Sequence, residues 1–141
     1  IVTIRLLLEG MLVHEAAKVI SPVEVEQVHW LLDRMKNSTD WRRVLQYNYK
    51  MHFLIYRTSG MHYALSLIEN IWLRVGPALH KIYEAIPTDI AYEHLDALGN
   101  ALLRNDPEAA ERSLRNDILL NAQFLTAQFV EQDMREQRKR A

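Results

Sequence analysis

Cysteine is absent from the 141 residues, so a disulfide framework, a thiolate zinc site and a cysteine nucleophile are excluded. Glycine and proline are scarce, four of each, together well under the roughly 12% of average chains. A chain with few places to turn, half of it hydrophobic (49%), is expected to be all-α. Charge of one sign is lacking too: 17 basic and 18 acidic side chains leave a net charge of −1, which removes a global electrostatic case for binding nucleic acid or an anionic membrane surface. No apolar run approaches the roughly 18 residues of a membrane span, and no basic segment followed by a small-residue cleavage site opens the chain. These absences point to a cytoplasmic protein. Metal chemistry, if any, rests on the six histidines and the carboxylates.

What is present is helical periodicity from end to end. A first helix is expected from Ile1 to about Ile20. Ser21-Pro22 with Glu24 has capping-box spacing and opens a second helix to about Lys36. Asp40 caps a third, from Trp41 to about Thr58. A long apolar segment starts at Met61, and Gly76-Pro77 is expected to kink or divide it before Ile86-Pro87. One helix is expected from Thr88 or Asp89 to about Arg104. Asn105-Asp106-Pro107 then opens the last, to about Met134. The expected architecture is one domain over 1–141, an antiparallel bundle of six or seven helices around a central ligand or metal cavity. A chain that begins at Ile1 inside an amphipathic pattern reads as a piece of something longer. Arg135, Arg138, Lys139 and Arg140 read as a helix end whose cations suit its dipole.

The informative residues are polar groups within apolar stripes. On the third helix Asn48 and His52 are four apart, between Val44-Leu45 and Ile55. On the penultimate helix His94 shares a face with Ile90, Ala91, Leu98, Ala101 and Leu102. On the last, Asp117 and Asn121 lie on the face of Ala110, Leu114, Ile118, Phe124 and Leu125. A lone buried carboxylate costs several kcal/mol, so the three helices invite a shared partner. One reading is a hydrogen-bond network in which Asp117 accepts from His52 or His94. The other is a metal, since imidazole and carboxylate are ligands of zinc, iron, nickel and manganese.

Four segments in order carry a resemblance. They are Ile4-Arg5-Leu6-Leu7-Leu8-Glu9 followed by Ala16-Ala17; Asn48-Tyr49-Lys50-Met51-His52 followed by Ser59-Gly60; Glu93-His94 with Ala97-Leu98; and Ala109-Ala110 through Leu114-Arg115 to Asp117. Together they resemble the C-terminal effector-binding FCD domain of GntR-type transcriptional regulators. The resemblance implies an all-α bundle that binds a small carboxylate effector, often through a metal held by one Asp and three His. By position the ligands would be Asn48, His52, His94 and Asp117. Two depart from the family pattern: an amide replaces the carboxylate, and a carboxylate replaces the last imidazole. The set resembles a two-His, one-carboxylate site for a divalent metal such as zinc, nickel, manganese or iron. Arg5 would grip the effector's carboxylate with two parallel bonds, or else pair with Glu9 one turn away; Asn121 and Tyr92 would line the same cavity.

The resemblance further implies a homodimer in the cytoplasm, without membrane contact, whose DNA is bound only through a winged helix-turn-helix domain upstream. The rival reading is an enzyme using a two-His, one-carboxylate centre. It lacks a spare inward carboxylate as general base. A di-iron bundle needs two Glu-x-x-His pairs, and only Glu26 to His29 has that spacing. His14-Glu15 lacks the second histidine of a zinc-protease motif, Lys18 standing in its place. A sensor rather than an enzyme is expected, with His14, His29, His62 and His80 structural.

Overall fold

A computed structural model describes residues 1–141. Seven helices follow one another: α1 (Val2–Val19), α2 (Pro22–Lys36), α3 (Trp41–Thr58), α4 (His62–Ala85), α5 (Thr88–Ala91), α6 (Glu93–Leu103) and α7 (Pro107–Arg140). No helix is long and apolar enough to cross a membrane. Helix α1 is the spine, packing against α7, α3 and α4, while α2 joins α3 to α6. Its lower half buries Leu12, Val13, Ala16 and Ala17 in the apolar core, and its upper half buries Arg5 and Glu9. The same helix thus carries the core and the polar cluster described below.

The connections follow the local chemistry. Ser21 Oγ accepts from the Glu24 amide at 3.2 Å while the Ser21 amide donates to Glu24 Oε1 at 3.1 Å, a reciprocal cap that satisfies two otherwise orphaned donors. Glu24 Oε2 also accepts from Thr58 Oγ1 at 2.7 Å, tying the start of α2 to the end of α3. Replacing Ser21 by alanine is expected to cost about 1 kcal/mol, read as a fall of about 3–5 °C in Tm by circular dichroism. Asp106 caps α7 through the Ala109 amide at 3.0 Å. Before it, Asn105 takes φ 49°, a left-handed conformation that asparagine tolerates, and its amide donates to the Ala17 carbonyl at 2.9 Å. Gly99 lets α6 approach α2, since a Cβ there would meet His29 Nε2 at 3.0 Å and Leu32 Cδ1 at 3.3 Å.

Two expectations change and a third narrows. Of the two outcomes expected at Gly76-Pro77, a kink or a division, division does not occur and α4 runs through. The carbonyl that proline deprives of a donor belongs to Leu73, and Leu73 is 79% exposed, so water can serve it. The helix expected from Thr88 to Arg104 is two helices, broken at Tyr92 with φ −111° and ψ 0°. Finally α7 runs to Arg140 rather than Met134, with Arg138, Lys139 and Arg140 in its last turn, and buries nothing beyond Ile118.

Candidate functional site: a buried arginine cluster

Three helices deliver polar side chains to one buried place. Arg5 and Glu9 stand one turn apart on α1, Asn48 and His52 one turn apart on α3, and Asp117 on α7; all are buried, Glu9 completely. Tyr56, one further turn along α3, is also completely buried. The spacing of four places each series on a single helix face, and the packing of α1 against α3 and α7 brings the faces together.

The bonds run as a chain. Arg5 Nε donates to Glu9 Oε1 at 2.6 Å, and the Tyr56 hydroxyl donates to Glu9 Oε2. Since the hydroxyl spends its proton on Glu9, the 3.1 Å contact between His52 Nδ1 and Tyr56 Oη requires Nδ1–H to donate, leaving Nε2 as the lone-pair nitrogen. Asn121 Nδ2 donates to Asp117 Oδ2 at 3.2 Å. Trp72 of α4 closes one side, its ring centroid 5.5 Å from the Arg5 Cζ and 5.1 Å from the His52 ring.

The protonation states follow from burial and from Arg5. Burial, aided by the Arg5 charge, pulls the His52 pKa down to about 3, so the imidazole is neutral at all ordinary pH. Burial works against the Arg5 charge as well, but Glu9 more than compensates and holds the guanidinium ionised. Asp117 is pushed up to about 7, by burial first and by the Glu9 charge, against the pull of Arg5 and the Asn121 bond. Burial, then Glu9, raises the Tyr56 hydroxyl well above its ordinary value. Burial also raises Tyr83, with Asp117 adding to the effect. At neutral pH the cluster therefore holds one fixed cation, the Arg5 guanidinium, and one carboxyl, Asp117, near its midpoint.

Of the expected site residues, Arg5, Asn48, His52 and Asp117 are buried, with Asn121 half-buried beside Asp117. His94 and Tyr92 are placed otherwise. The break at Tyr92 cuts Ile90 and Ala91 off from the stripe, and α6 starts at Glu93 with Leu95, Leu98, Gly99, Ala101 and Leu102 as its buried residues. His94 is half-buried in the first turn, and Tyr92 reaches the Met35 carbonyl at 3.4 Å. No three histidine, aspartate or glutamate side chains converge in a group able to hold a metal ion. His52, His94 and Asp117 thus do not form such a group in this arrangement. The cation within the cluster is the Arg5 guanidinium. Of the remaining histidines, His14 contacts Glu111 at 3.1 Å and His80 stacks on Trp41 at 3.9 Å.

Glu9 as a buried anion, Tyr56 as its second donor and Trp72 as the neighbour of Arg5 were not legible as a site. The four-residue step from His52 to Tyr56 was the available signal.

The FCD domain family model matches residues 1–119. The HTH-type transcriptional regulator McbR of Escherichia coli (strain K12) is 30% identical over 132 residues, covering 89% of this chain and 60% of McbR. The solved structure of E. coli McbR/YncC is similar with a TM-score of 0.79 at 29% identity, over 90% of this chain and 63% of that one. The chain therefore spans about 60% of the length of the curated relative it matches.

Proposed function

Because this chain belongs to the FCD domain family of GntR-type regulators, we propose that it is the ligand-sensing domain of a transcriptional regulator and binds a small organic acid at Arg5. The observation that carries this reading is a buried guanidinium whose one hydrogen bond runs from Nε to Glu9. Its two terminal nitrogens are left as a planar fork suited to a carboxylate. The divalent metal that the family resemblance implies has no matching ligand group here, so the anion is taken by the arginine directly. Asn121, beside Asp117, flanks the same place.

Binding acts on the protonation of Asp117. An incoming carboxylate joins Glu9 as a second anion beside it, so the complex favours the protonated carboxyl. Helices α1, α3 and α7 all contribute to the cluster, and drawing them together shifts an equilibrium between DNA-competent and incompetent arrangements of an attached winged helix-turn-helix domain. An apolar stripe left exposed on α1, with Ile4 49%, Leu7 63% and Met11 40% accessible, supports a homodimer. That the relative is a regulator favours sensing over catalysis.

With the Asp117 pKa near 7, carboxylate affinity is expected to fall about tenfold between pH 6 and pH 8. Calorimetric titration of butyrate at both pH values, in buffers of different ionisation enthalpy, measures the affinity and the protons taken up. Tighter binding at pH 8, or release of protons at pH 6, contradicts the reading.

A further inference from the structure

Trp72 has a second surface. Besides bordering Arg5 and His52, it lines a groove of about 610 Å³ between α3 and α4, with Leu45, Tyr49, Glu69, Leu73 and Leu79. The volume lies within the range of small-molecule sites. Gly76, one turn from Trp72, widens it, since a Cβ there would meet nothing within 4 Å. Trp72 is itself only 6% exposed, and its indole Nε1–H is buried without a hydrogen-bond acceptor. A buried donor left unpaired carries a free-energy penalty, which an acceptor on a bound molecule would remove.

An apolar groove, an unpaired donor and a buried cation thus meet at one side chain. Resting on the reading of Arg5 as the carboxylate anchor, we infer that the effector is an amphipathic monocarboxylic acid whose hydrocarbon body lies in the α3–α4 groove and whose head is shared by the Trp72 indole and Arg5. A dicarboxylate fits poorly, because the other charged group that lines the groove is the acid Glu69. Trp72 then sets specificity: it separates the apolar compartment from the polar one and marks where the head must sit.

Calorimetric titration of acetate, butyrate and hexanoate into the protein at pH 6 tests this. Affinity is expected to rise about fourfold per methylene, a hundredfold or more across the series. Trp72→Phe, which keeps a ring and removes the N–H, is expected to weaken hexanoate about tenfold in protein that still unfolds cooperatively. Leu73→Glu, at a position 79% exposed, is expected to weaken hexanoate similarly. Equal affinity for all three acids overturns the groove and leaves Arg5 as the anchor. No binding of any acid overturns both. If Leu73→Glu instead converts a dimer to a monomer in sedimentation, with hexanoate affinity unchanged, the groove belongs to a second copy and the inference fails.

Discussion

Replacing Glu9 by leucine is expected to lower stability by about 3–5 kcal/mol, because it strips a buried guanidinium of its counter-ion. In a chain of this size that is a fall of roughly 10–15 °C in Tm. The Arg5–Glu9 contact at 2.6 Å spans one helical turn, and on a solvated surface such a pair contributes only a few tenths of a kcal/mol. Burial reverses the scale: Arg5 is only 7% exposed, so the surviving guanidinium is largely kept from water. The double variant Arg5→Met/Glu9→Leu removes both charges and is expected to recover most of the loss. A residual deficit of about 1–2 kcal/mol remains from the Tyr56 hydroxyl, which loses its acceptor. Urea denaturation of the wild type, both single variants and the double variant completes the cycle, and a Glu9→Leu variant that costs under 1 kcal/mol shows that the pair is hydrated.

The pH dependence of stability is the second large effect, and it is hidden in the wild type. His52 has its pKa depressed from 6.5 to about 3. Between those values the unfolded chain holds a proton that the folded one does not, so its contribution is lost as pH falls. Asp117 has its pKa raised from 3.8 to about 7. Over that span the folded chain holds the extra proton, so its contribution is lost as pH rises. The two slopes oppose each other from about pH 4 to 6.5 and cancel. Asp117→Asn removes one and uncovers the other: stability is expected to climb with pH, by about 3 kcal/mol between pH 4 and 6.5. His52→Gln is expected to show the reverse trend, falling as pH rises toward 7. Urea denaturation at half-unit pH steps reads both, and parallel profiles for the two variants contradict the assignment.

Much of this was legible in the sequence, for local reasons. Ser21, Asp40 and Asp106 cap helices within a few residues of themselves, and short-range geometry of that kind survives without knowledge of the fold. Asn48, His52 and Asp117 were visible as polar residues in apolar stripes, because each stripe belongs to one unbroken helix. His94 stays on one face with Leu98, Ala101 and Leu102, but it stands in the half-buried first turn of a helix that starts only after a break at Tyr92, a position with no proline or glycine to announce it. Glu9 was read as one possible partner of Arg5, but an i, i+4 ion pair looks the same in sequence on a wet surface and in a dry core. Only the packing of α1 against α3, α4 and α7 decides between them. Trp72 carried no signal at all, since an aromatic residue in an apolar helix is ordinary core until its neighbours are known.

The claim that a guanidinium, and not a metal, receives the effector's carboxylate is tested most directly by titrating hexanoate into chelator-treated protein and into Arg5→Met/Glu9→Leu. Full binding with EDTA present, and at least a hundredfold weaker binding in the charge-free pair, is the predicted result. Loss of binding in EDTA with recovery on adding zinc, nickel or manganese, or undiminished binding in the double variant, would contradict it.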